Sequence, residues 1–284
     1  MITQTTAVSA AAPLGHVDGH PTTLRRVLRS EWIKIRSLRS TWITAAAILL
    51  VIVGLGVISS LVANGDITPQ GPGPGGPGSG STGPLSTVLT GANLAVLIVA
   101  VMGAVVGAHE FATGMIRTTF SAVPKRLPVL WSKLVAFTVS VLPAVAIGVV
   151  GAFFIGMSLL GAGGAATVSW SDDGVARSVL GTAYYIVGLG IIGVAVGILL
   201  RSTAAAIGVV LGAVLFLPAL ASALLPAGWD EVLKYLPSNA ADAFTGMGQA
   251  TGSVLTPGVG AGVFTAWIAI AIAGAAWAFV RKDA

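Results

Sequence analysis

The sequence predicts an all-α fold: a polytopic integral membrane protein with six transmembrane helices, an N-terminal interfacial amphipathic helix and a short re-entrant segment before the last helix. Three observations predict it. Of 284 residues, 55% are hydrophobic and 9% are charged, whereas a soluble domain carries about 25% charged residues. Such a chain has too little polar surface to face water all round, so its main solvent is lipid. Second, apolar runs recur six times, each long enough at about 1.5 Å per residue to cross the roughly 30 Å hydrocarbon layer. Third, the basic residues gather at alternate ends of those runs.

Residues 1–21 are small and polar, with no lysine or arginine. They lack the basic start and apolar run of a signal peptide and read as a disordered cytoplasmic tail. His16 and His20 flank Asp18, but a flexible pair of this kind is not expected to hold a metal. The remainder, residues 22–284, reads as one transmembrane domain.

From Thr22 to Arg39 the pattern is helical. Leu24, Val27, Leu28, Trp32, Ile35 and Leu38 share one arc of a 3.6-residue wheel, and only Ile33 breaks it. Arg25, Arg26, Arg29, Lys34 and Arg36 supply the cationic side. A helix of this kind lies in the interface, its Trp32 face in the lipid and its basic face toward anionic headgroups. Glu31, set among the apolar positions, is expected to snorkel to water.

The expected spans are residues 42–62, 87–108, 131–160, 179–200, 203–225 and 260–280. A glycine- and proline-rich stretch, Asn64–Ser86, separates the first two and reads as a flexible loop. Pro143 and Pro218 should disturb the third and fifth spans. Arg201, Ser202 and Thr203 should make a tight turn. Pro226–Gly258 is amphipathic but too polar to span, so two short helices on or in the outer leaflet are expected, with Ser238 or Asn239 as a cap.

Thirteen of the fifteen lysines and arginines fall on one side of this arrangement; Arg177 and Lys234 fall on the other. The positive-inside bias then puts both termini in the cytoplasm, with the stretch from His109 to Lys133. That stretch holds Arg117, Lys125, Arg126 and Lys133 against one acid, Glu110.

Several chemistries are excluded. The net charge of +5 belongs to membrane anchors rather than to nucleic-acid binding, for which no soluble domain is available. Cysteine is absent, which removes disulfides and thiol chemistry. Gly188, Gly190 and Gly193 spell G-x-G-x-x-G inside a span, without the strand and following acid of a dinucleotide fold. The pairs Gly103/Gly107, Gly193/Gly197 and Gly208/Gly212 are spaced for close helix packing. No catalytic, cofactor or metal site is expected. The spans hold almost no ionisable residues, so a proton-coupled pump is disfavoured. Any passage through such a bundle is lined by small and apolar groups, which suits amphiphilic or lipid-like molecules. It would need outside energy, because no phosphate-binding motif occurs.

The order of elements resembles a permease of the type 2 ATP-binding-cassette (ABC) transporter family. Glu31-Trp32-Ile33-Lys34-Ile35-Arg36-Ser37 is similar to its N-terminal E-x-x-K pattern. Glu110, Gly114 and Arg117 are similar to its E-x-x-x-G-T-x-R loop, followed by Pro124, Arg126 and Lys133; Met115 stands where threonine is usual and Phe120 where leucine is common. The resemblance implies a non-catalytic membrane subunit, paired with a second permease copy (homodimer or heterodimer) and bound to cytoplasmic ABC ATPase subunits through Glu110, Gly114 and Arg117. It fits an exporter in the cell membrane. The alternative reading is a membrane scaffold or sensor that anchors a cytoplasmic partner.

Overall fold

The computed structural model describes residues 39–67, 83–112, 126–224, 226, 229–246 and 255–281. The expected tail, and the expected interfacial helix up to Leu38, lie outside these. So do Arg25, Arg26, Arg29, Trp32, Lys34 and Arg36. Among the described residues all regular structure is helical. In order, the helices are α1 (Arg39–Ala63), α2 (Pro84–Val88), α3 (Thr90–Ala112), α4 (Arg126–Ala162), α5 (Val175–Leu200) and α6 (Thr203–Leu211). A π-helical turn (Gly212–Phe216) joins α6 to α7 (Leu217–Leu224), and α8 (Asp230–Leu233), α9 (Pro237–Thr245) and α10 (Pro257–Arg281) are the remaining helices among the described residues. Among the described residues six segments are long and apolar enough to cross a membrane: 42–63, 90–109, 127–162, 175–200, 203–220 and 257–281. The molecule is a multi-pass membrane protein.

The boundaries depart from expectation where the local chemistry is strongest. Pro84 occupies the first turn of α2, where its missing N–H costs nothing. Ordered helix therefore begins three residues before the expected second span, breaks at Leu89 and restarts at Thr90. The third span starts at Arg126 and runs unbroken for 37 residues through Pro143. The fifth is disturbed one turn before its proline. Pro218 has no N–H to offer the preceding turn and its ring crowds the carbonyl of Val214. The backbone widens there, and the Leu217 N–H reaches the Gly212 carbonyl five residues back. Two short helices precede the last span as expected, but neither Ser238 nor Asn239 caps α9. Leu236 is the N-cap and Pro237 the first helical residue, while the Asn239 amide donates to the Leu233 carbonyl at 2.9 Å.

Close backbone approach organises the core. Gly103 and Gly107 on α3 lie against Gly190, Val194 and Gly197 of α5, and Gly193 and Gly197 lie against Ala100, Ala104 and Ala108 of α3. A methyl group at any of the four would run into a backbone carbonyl oxygen. Without a hydrophobic driving force in lipid, such contact lets dispersion between backbones hold two helices together. α1 packs on α4 through Leu49, Ile52 and Val53, and Gly56 and Gly91 bring α1 against the α2–α3 corner. Lone hydroxyls in the spans are satisfied by their own helix: Thr138 donates to the Leu134 carbonyl and Thr182 to that of Ser178, each at 2.8 Å.

Candidate functional site

The stretch singled out by sequence leaves α3 and enters α4. Glu110 lies in the last turn of α3, while Gly114, Arg117 and Lys125 lie outside the described residues. What the structure places is the frame on which residues 113–125 are mounted, and three side chains build it.

Lys133 is the first. It stands two turns into α4 and is 8% exposed. Its Nζ donates to the Val106 carbonyl of α3 at 3.3 Å. The sequence reading counted Lys133 as the last basic residue of the cytoplasmic stretch, at the start of the expected third span. It is helical, two turns into α4, and buried, because a lysine near a helix start can lay its methylene stem along a neighbouring helix and bring its charge to a carbonyl. The two ends of the stretch are thereby tied together.

Phe111, in the last turn of α3, is the second. The Arg201 guanidinium sits 5.0 Å above its ring, and Phe279 of α10 meets it edge-on with centroids 6.0 Å apart. Arg201 is the third. It ends α5 in the left-handed conformation, φ 55°, and Ser202 then caps α6 by accepting the Ala205 N–H at 3.4 Å. The turn between the fourth and fifth spans, the end of the second and the end of the sixth therefore converge on one ring. Nearby, Arg281 lies 5.5 Å from the Trp277 ring. His109 is exposed at the same end.

Phe111 and Phe279 were not anticipated. An apolar residue at the end of an apolar run carries no signal that distinguishes it from the rest of the run. Arg201 was visible as a lone cation in a tight turn, but its aromatic partner was not.

At the opposite end the hairpin α8–α9 is packed into the bundle. Phe244 fills the notch left by Gly181 of α5, and the Ala240 carbonyl and the Ala243 methyl fill that of Gly260 of α10. The Trp267 indole donates to the Tyr235 carbonyl at 2.8 Å. The loop before α5 folds Trp170 onto Phe154, stacked at 5.7 Å. Among the described residues no group of three histidines, cysteines or acids could hold a metal. No protein-family model and no curated protein sequence matches this chain.

Proposed function

We propose that this chain is the membrane-spanning, non-catalytic subunit of an ABC transporter in the cell membrane, exporting amphiphilic or lipid-like cargo with energy from ATP hydrolysed on a separate ATPase subunit. The observation that carries the reading is the order of elements. Six spans are interrupted by a basic stretch after the second and by a packed helical hairpin before the sixth, the arrangement that the family resemblance leads one to expect. Lys133 and the Phe111–Arg201 contact support a mechanical role for the basic stretch, since they join it to the second, third and sixth spans and to the turn between the fourth and fifth. In this reading Glu110, Gly114 and Arg117 meet the ATPase, and Arg117 grips a carboxylate on it through paired N–H donors. The positive-inside bias favours both termini in the cytoplasm. A second permease copy completes the transporter. Gly208 and Gly212 support a close helix contact with that copy, because none of the described residues lies within 4 Å of where their side chains would be.

The test is to isolate the protein from its native membrane and ask what accompanies it. An ATPase should co-purify, and its hydrolysis should respond to cargo. Arg117→Ala should abolish transport, and either release the ATPase or leave hydrolysis unresponsive, because loss of one partner of a buried charged pair costs about 2–5 kcal/mol. Lys125→Ala should be mild. A protein that arrives with another cytoplasmic partner and no ATPase would establish the scaffold reading instead.

A further inference from the structure

The fifth span is interrupted halfway along. Ala213 stands ten residues past Thr203, about 15 Å into a layer roughly 30 Å thick. It belongs to the π-helical turn. The Leu217 N–H, its ordinary partner four residues on, goes to the Gly212 carbonyl instead. The N–H five residues on would be that of Pro218, which has none. The Ala213 carbonyl is therefore left without an N–H in either the α or the π register. Pro143 of α4 gives the contrast. That helix stays regular through its proline, so it loses only the bond to Val139, the carbonyl that the ring itself crowds. In the fifth span the shifted bond frees a second carbonyl, beyond the one under the ring.

Nothing among the described residues replaces that lost bond. The span carries no hydroxyl, amide, acid or histidine between Ala204 and Leu220. The turn lies open: Ala213, Leu215, Phe216 and Leu217 are exposed, and none of the described residues lies within 4 Å of where a Gly212 side chain would be. Lipid tails have no donor to give, and an unpaired backbone carbonyl in hydrocarbon is costly. A second copy of this chain would lie at the same depth in the membrane, where its described donors are already taken. Ser140 donates to the Ala136 carbonyl and Trp267 to that of Tyr235. Thr265 donates to the Ala261 carbonyl, so at their 2.8 Å contact Tyr184 donates to Thr265. Tyr185 is buried.

The donor that remains is on the carried molecule. A metal cation would need several oxygens, and the span offers no acid. Freed carbonyls of an interrupted helix near the midplane are where transporters hold the polar part of what they move. We propose that the Ala213 carbonyl accepts a hydrogen bond from the head of the amphiphile as it crosses the midplane, its tail staying in the lipid. The carbonyl thereby selects cargo whose head carries a free O–H or N–H. This deepens the proposed function by naming the chemistry of the cargo, and rests on that reading only for transport itself.

The experiment is equilibrium binding of tritiated 1-O-dodecylglycerol to the full chain in nanodiscs of zwitterionic lipid, with its di-O-methyl ether as the comparison. The probes share a tail and differ in their hydroxyl donors. The alcohol should bind saturably and about fivefold tighter than the ether. Pro218→Ala and Pro218→Leu differ in bulk, yet both restore an N–H, return the turn to the α register and re-pair Leu217 with Ala213. Both should erase the preference, and Pro143→Ala should leave it unchanged. Restoring a helical N–H favours the helix, so the variants should fold; the native comparison needs no variant. Equal binding of alcohol and ether by the native protein would overturn the proposal, as would a preference that survives both Pro218 variants. An altered oligomeric state in those variants, with the preference intact, would overturn it in favour of a second copy as the occupant. Binding requires neither ATP nor a partner. An ATPase that fails to co-purify therefore leaves this site standing, and equal binding of the two probes leaves a permease for cargo without donors.

Discussion

Arg201 is the one residue other than glycine with a positive φ among those described. An L-residue there carries a penalty of roughly 1–2 kcal/mol, so something must compensate, and the Phe111 ring at 5.0 Å is one such contact. The two effects can be separated by substitution. Arg201→Ala keeps the strain and loses the cation; Arg201→Gly loses both. The glycine variant should be the more stable by about 1 kcal/mol, read as the midpoint of unfolding in detergent. A double-mutant cycle of Arg201→Ala with Phe111→Leu should give a coupling of about 0.5–2 kcal/mol; additive effects would show that the ring and the cation do not interact. Arg201 was readable in the sequence because a cation between two apolar runs is conspicuous. Its ring partner was not, because the pairing depends on how α3 and α5 cross.

At the level of elements, the glycine spacings were legible as packing surfaces, but their partners were not. Spacing along one helix says which residues share a face and nothing about what that face meets. The structure sorts the three pairs. Gly103/Gly107 and Gly193/Gly197 are spent on each other within the chain, and Gly208/Gly212 are not. Gly193→Leu should therefore cost about 1–3 kcal/mol in the isolated protein by overpacking against Ala100 and Ala104. Gly208→Leu should change stability by no more than about 0.5 kcal/mol, as an open site does, yet weaken self-association if a second copy packs there. Thermal unfolding in detergent and oligomeric state in nanodiscs give the two readings. Pro218 likewise announced a disturbance without locating it. Its missing N–H is a property of residue 218, but the relief is taken up by the preceding turn, Gly212–Phe216.

For the whole molecule, six spans were legible because twenty apolar residues have few other uses. The described residues carry the basic asymmetry into the structure: Lys133, Arg201 and Arg281 are at one end of the bundle, Arg177 and Lys234 at the other. The chain has no cysteine, so single cysteines report topology cleanly. With a membrane-impermeant maleimide applied to intact cells, Ser81→Cys should label and Ser121→Cys should not. The reverse pattern would invert the orientation, and with it the side on which any ATPase could bind.

α4 has a mechanical consequence. Its 37 residues span about 55 Å against a hydrocarbon layer of about 30 Å. It is continuous through Pro143 and longer than the layer is thick, so it tilts or extends past the lipid. The foot that protrudes at Arg126 continues directly from residues 113–125. The far end is pinned to the first span, where the Asn64 amide donates to the Leu159 carbonyl at 2.8 Å. If the proposed ATPase pushes on that foot, the pin would carry the movement of α4 to α1, so force applied at one face of the bundle would be delivered at the other.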